Sequence, residues 1–158
     1  PAAILLTHGH FDHIMGVDGL VSEFHLPVYV HEDDMEMLRR PELNGGAMIG
    51  VRVSTKADHV MHDNDELSLA GMQIRVVHTP GHTPGGVCFY FPEKEVVFSG
   101  DTLFCESVGR TDLPGGSMGT LIRSIRERLM KLSDLTVVYP GHGEPTKIGY
   151  EKQNNPFL

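Results

Sequence analysis

A chain of 158 residues with 40% hydrophobic content can bury one core but not two, so residues 1–158 are read as a single domain. A formal net charge of -8, with the acidic residues spread along the chain, excludes the electrostatic footprint of a nucleic-acid or anionic-membrane binder. No apolar run is long enough to cross a bilayer, and Cys88 and Cys105 form neither a disulfide framework nor a zinc ribbon, so a reducing cytoplasm is the default location.

In chain order, Ala2 to Leu6 is an apolar strand with no element before it to pair with, as in a sequence that opens in mid-domain. A helix is predicted over Met15 to Phe24, weakened by Gly16 and Gly19, then a strand over Val28 to Val30 and a charged helix from Glu32 to Arg40. Pro41 to Thr55 lacks periodicity and reads as a long surface loop. From Glu66 the pattern turns to strands: Leu67 to Ala70, a Gly71 turn, Gln73 to Val77, Val87 to Phe91, and Glu95 to Ser99 about a Pro92-Glu93-Lys94 turn. These predict an antiparallel meander. Leu121, Ile122, Ile125, Leu129 and Leu132 recur at helical spacing with Ser117 as N-cap, so one amphipathic helix covers a sheet, and Thr136 to Tyr139 makes the last strand. Strands mixed with helices imply the α/β class.

Histidine is the unusual residue, with ten copies, most beside Gly, Thr, Asp or Pro. His8 and His10 follow the first strand two residues apart, so an extended backbone projects both imidazoles to one side, and Asp12 and His13 come one turn later. Nitrogen and carboxylate donors with no thiolate suit zinc or another borderline divalent ion in a catalytic rather than a structural site. Three later segments each put one such donor on a tight glycine turn at a strand end: Thr79-Pro80-Gly81-His82-Thr83, Ser99-Gly100-Asp101-Thr102 and Tyr139-Pro140-Gly141-His142-Gly143.

With His-x-His-x-Asp-His followed by a separate His, Asp and His, the chain resembles the metallo-β-lactamase superfamily. The resemblance implies a four-layer αβ/βα sandwich with the site at one edge. It further implies that His8, His10 and His82 hold a first metal, that Asp12, His13 and His142 hold a second, and that Asp101 bridges them. Two divalent ions, zinc before iron or manganese, would then generate a hydroxide near neutral pH, with Asp12 orienting it and accepting its proton. Members of the family carry several strands before the first motif, so this chain is expected to be truncated at its N-terminus.

Asp101 stands where thiol-coordinated β-lactamases have Cys, and His10 where flavo-diiron proteins have Glu, and neither branch fits. Gly100-Asp101-Thr102-Leu103-Phe104, Gly109-Arg110 and the ending Asn155-Pro156-Phe157-Leu158 resemble the small glyoxalase II type of hydroxyacylglutathione hydrolase. That implies a small-molecule acyl-thiol substrate, with Arg110 holding its carboxylate. Glyoxalase II proper continues into a helical domain, and Thr111-Asp112-Leu113-Pro114-Gly115-Gly116 replaces an aromatic element there, so the thiol carrier is left open.

The rivals are a persulfide dioxygenase with one iron on His8, His82 and Asp101, and an inactive metal-binding remnant of the fold. Arg110 also has a plain role available, as an ion-pair partner of Glu106 or Asp112. His25, His31, His59 and His62 fall outside the motif frame and are expected to face solvent. His78 is a possible partner behind the ligands, and Cys105 is expected to be buried.

Overall fold

The apolar stretches become short strands in two facing sheets; the structure, a computed structural model, describes all 158 residues. In chain order the strands are β1 (Ile4–Leu5), β2 (Val28–His31), β3 (His59–Met61), β4 (Glu66–Leu69), β5 (Met72–His78), β6 (Val87–Phe91), β7 (Val96–Gly100), β8 (Leu103–Phe104), β9 (Ser107–Val108), β10 (Val137–Pro140) and β11 (Thr146–Lys147). The helices are α1 (Phe11–Ile14), α2 (Val17–Phe24), α3 (Met118–Ser124) and α4 (Ile148–Asn154). The first sheet is parallel, ordered β1-β2-β3; the second is ordered β11-β10-β7-β6-β5-β4, with β4 to β7 the predicted antiparallel meander. β10 lies parallel to β7, as the intervening α3 crossover permits, and β8 and β9 form a small hairpin.

Alternation along the strands sorts the core into three layers. Ile74, Val76, Val87 and Phe89 point inward and meet Met61, Leu5 and Tyr29 of the first sheet. Val77, Cys88, Val97 and Val138 point outward beneath Leu121, Ile125, Leu129 and Ile148. On the far side, Val28, Val30 and Leu6 pack under Ile14, Val17 and Leu38. Helix, sheet, sheet, helix is the four-layer sandwich implied by the resemblance. Phe98 and Tyr139, on β7 and β10, stack at 5.4 Å and remain exposed.

Several elements depart from expectation. The helix predicted over Met15 to Phe24 starts later, at Val17, as α2, and the separate short helix α1 precedes it and ends at Ile14. The Glu32 to Arg40 helix is two 3-10 turns, Glu32–Asp34 and Met37–Arg39: the His31 ring accepts from Asp33 N at 3.3 Å, Asp34 turns inward, and the Leu38 carbonyl accepts from Thr55 N. The Pro41 to Thr55 loop is folded around buried Asn44, which accepts from Gly46 N and donates to Val53 O. The predicted amphipathic helix starts at the Ser117 cap but passes into a π-helical turn, Ile125–Leu129. β10 is not the last strand, because β11 and α4 follow it.

Candidate metal centre

All seven predicted donors converge on the strand ends where the two sheets open. His8 and His10 leave β1 on an extended backbone, and α1 begins at Phe11, which turns Asp12 and His13 back over them. His82 follows the turn after β5, Asp101 closes β7, and His142 follows β10. Gly141 is required by close approach: a Cβ there would overlap Asp101 Oδ1 and lie 2.9 Å from His13 Cε1.

His82 Nε2 is 2.8 Å from His10 Nδ1 and 3.3 Å from His8 Nε2, and all three imidazoles are buried. Their tautomers follow from the atoms behind them. His82 Nδ1–H donates to the Arg110 carbonyl at 2.7 Å, and His8 Nδ1 lies 3.1 Å from Thr7 Oγ1, so each presents Nε2 to the cluster. Two nitrogens each bound at about 2.0–2.1 Å to a tetrahedral ion lie about 3.3 Å apart, so this spacing suits a metal better than a hydrogen-bonded core.

On the other side, His142 Nε2 is 3.3 Å and His13 Nε2 3.8 Å from Asp12 Oδ2. Asp101 stands between the sets, Oδ1 at 3.3 Å from His13 Nε2 and Oδ2 at 3.5 Å from both His82 Nε2 and His142 Nε2. His13 Nε2 and Asp101 Oδ1 are buried without a hydrogen-bond partner. Donors without hydrogen-bond partners facing one another in a half-buried site are suited to a cation between them, so this donor set fits two divalent ions.

The protonation states agree. Burial first, then neighbouring imidazoles, hold His8 well below its ordinary pKa and His10 at about 4. Burial would lower His13 too, but the Asp101 carboxylate more than offsets it and raises the pKa; Asp101 is lowered in turn, its histidine neighbours outweighing desolvation. The sign for stability is definite: His8 and His10 are depressed, so acid favours the unfolded chain, and their contribution is lost as pH falls from about 6.5 through about 4. His13 and Asp34 are raised and oppose this with smaller shifts. The melting temperature of metal-stripped protein is expected to fall across that window; a flat profile would contradict neutral buried imidazoles.

Phe11, Phe104, Val108 and Leu113 wall a cleft of about 490 Å³ over these donors, with Ser107 and Arg110 also lining it. The Arg110 guanidinium is exposed and grips Asp112 bidentately at 2.7 Å on both arms, holding the Asp112 carboxyl at about 2. A roomier cleft of about 600 Å³ near α2 offers Asp18, Asp58, Arg39 and Lys56, all exposed and of mixed sign, without converging donors.

Outside the seven, His25, His59 and His62 are exposed. His31 is buried rather than solvent-facing, because its ring stacks on His78 at 4.0 Å and 13°. His78 Nε2 hydrogen-bonds the Pro84 carbonyl and none of the seven donors. His31, Asp33 and His78 bring ligand atoms close, yet in-plane lone pairs on nearly parallel rings do not meet at one point. Cys105 is exposed at the β8–β9 turn, where Leu103 and Val108 take the core positions. Sequence reasoning missed Asp34, a carboxylate with no exposed surface behind the histidines; a charged residue in an apparent surface helix gives no sign of it.

Comparison with known proteins places the chain. The model of the metallo-beta-lactamase superfamily matches residues 1–142. Among curated proteins, the probable metallo-hydrolase YqgX of Bacillus subtilis is 43% identical over all of this chain and 76% of its own length. The hydroxyacylglutathione hydrolase GloC of Haemophilus influenzae is 38% identical over 98% of this chain and 74% of its own. Among solved structures, the BLEG-1 B3 metallo-beta-lactamase superposes with a TM-score of 0.95 at 45% identity, over all of this chain and 77% of that one. TTHA1623, solved in a di-iron-bound form, gives 0.89 at 43% over all of this chain and 78% of that one. ETHE1 from Myxococcus xanthus gives 0.79 at 28% over 98% and 61%. No helix is long and apolar enough to cross a membrane. With its sandwich, its seven converging donors and a family match that spans nearly its whole length, this chain belongs to the metallo-β-lactamase superfamily.

Proposed function

We propose that the chain is a dinuclear metal hydrolase that cleaves an S-acyl thioester of the hydroxyacylglutathione type. The observation that carries the reading is the pair of three-donor sets, His8, His10, His82 and Asp12, His13, His142, with Asp101 between them at the floor of an open cleft. Two divalent ions, zinc or iron, supply an acidified water and polarise a carbonyl when bound there.

The residues of the chain do the rest. Asp12, 36% exposed at the cleft, holds the attacking water by its free carboxylate oxygen and accepts its proton, which then passes to the departing thiolate. Phe11, Phe104 and Leu113 seat the acyl chain and exclude water from one side of the carbonyl. Arg110, at the rim, receives a carboxylate of the thiol carrier. The 38% identity to the curated hydroxyacylglutathione hydrolase supports this substrate class.

A single iron on His8, His82 and Asp101 would leave His10 Nδ1, 2.8 Å from His82 Nε2, and the Asp12, His13, His142 set without a task. We therefore set the persulfide dioxygenase second. Metal-loaded protein tested against S-lactoylglutathione, a glutathione persulfide with oxygen consumption followed, and a β-lactam is expected to turn over the thioester fastest. Oxygen consumption without thioester cleavage would reverse the order, and full metal content without any turnover would favour an inactive remnant.

Asp112 competes with the substrate for Arg110. Because the pair is exposed, the effect is small: Asp112→Asn is expected to lower KM about two- to fivefold for carboxylate-bearing thioesters, with kcat unchanged, and Arg110→Ala to raise it. Equal KM values in all three proteins would remove Arg110 from the substrate site.

A further inference from the structure

Asp34 is the best-buried carboxylate near the site, with no exposed surface and no ion-pair partner, and every bond it accepts comes from the segments that carry the histidines. Its Oδ2 takes Gly9 N–H at 3.0 Å and the Thr83 hydroxyl at 2.8 Å, and its Oδ1 takes Gly85 N–H at 2.7 Å. Gly9 lies between His8 and His10, and Thr83 directly follows His82. One carboxylate therefore ties together the two backbone segments that present the three converging imidazoles. The close fit is built in at Gly85, where a Cβ would stand 2.6 Å from Asp34 N and 2.8 Å from Asp34 Cγ. A second buried carboxylate, Glu151, provides a natural contrast: it accepts from Glu106 N–H at 3.0 Å, Thr146 Oγ1 at 2.5 Å and Asn155 Nδ2 at 2.8 Å, and none of these residues adjoins a metal donor.

We propose that Asp34 is a positioning residue that presets the His8, His10 and His82 trio for its metal, acting through the Gly9, Thr83 and Gly85 hydrogen bonds. The inference rests on the ligand assignment proposed above and goes beyond it, to how the donor trio keeps its shape before metal binds. Desolvating a carboxylate is costly, and three donors offset that cost only if they are held together, so the arrangement resists separation of the two segments. In the free protein it prevents the imidazoles from dispersing to solvent, and so removes an ordering cost from metal binding.

The test is stepwise titration of metal-stripped protein with Zn²⁺ against a competing chelator, beside thermal melts. Asp34→Asn replaces one accepting oxygen with an amide that faces donors, and is expected to weaken one of two Zn²⁺ equivalents by about 10- to 100-fold while leaving the other near the wild-type value. Thr83→Val, which removes a single hydrogen bond and keeps the fold should Asp34→Asn fail to fold, is expected to weaken the same equivalent by about three- to tenfold. Glu151→Gln is expected to lower the melting temperature while both affinities stay at wild-type values. His82→Ala identifies the equivalent concerned by abolishing it. If Asp34→Asn and Thr83→Val bind both equivalents as wild type while His82→Ala loses one, the positioning role is overturned and the ligand assignment stands. If His82→Ala also keeps both, the ligand assignment itself is overturned, and the inference with it.

Discussion

Replacing Asp101 with alanine is expected to reduce kcat/KM on the order of 10³-fold or more, the largest effect of any single substitution in this chain. Its two oxygens reach different donors, Oδ1 toward His13 and Oδ2 toward both His82 and His142, so one truncation separates the two sets. Loss of a shared donor removes charge stabilisation worth several kcal/mol, and each 1.36 kcal/mol is tenfold in rate. The fold should survive, because Asp101 belongs to none of the core layers, although the metal-free protein loses the pairing with the histidines that lowers the Asp101 pKa. Metal content and kcat/KM are to be measured together, beside a melt of the metal-free variant that stays cooperative. Wild-type turnover in a fully loaded Asp101→Ala protein would contradict its place between the metals.

The second large effect is expected from Gly141→Ala, which adds one methyl group and replaces none of the seven donor residues. The new Cβ would overlap Asp101 Oδ1 and press on His13 Cε1, while Gly141 N–H is held to the Gly100 carbonyl at 2.8 Å and cannot easily withdraw. Asp101 and His13 must therefore move, and a misplacement of about 1 Å in a catalytic constellation costs about 10²-fold in rate. Overpacking adds about 1–3 kcal/mol of lost stability. Gly119→Ala is the matched control, since nothing lies within 4 Å of its added Cβ in α3 and a helical alanine is favoured by up to about 1 kcal/mol. Equal activity in the two variants would remove the steric argument.

How far the sequence carries depends on whether a residue's role is written locally. Five of the seven donors stand out because each sits beside glycine after a strand, and Asp12 and His13 are legible from their place directly behind His8 and His10. The meander and the Ser117-capped helix are equally legible, because their burial follows period 2 and period 3.6. Asp34 is not: it sits among Glu32, Asp33 and Glu36, its partners lie 25, 49 and 51 residues away, and only the fold reveals that an acidic residue turns inward. β3 is hidden for a related reason. His59-Val60-Met61 is too short to show a pattern, and Met61 is buried only because Ile74, Val76, Val87 and Phe89 of the facing sheet cover it. His31 carries no local sign of burial, because what covers it is the His78 ring on the other sheet. Tertiary contacts at long sequence separation decide these cases, and local pattern does not register them.

The most direct test of the two-metal account is the recovery of S-lactoylglutathione hydrolysis as metal-stripped protein is titrated with Zn²⁺ or Fe²⁺. Activity that climbs to its plateau at two equivalents per chain, and that remains below it in His142→Ala at any metal concentration, is the predicted result. A plateau reached at one equivalent, with His142→Ala fully active, would contradict the dinuclear site.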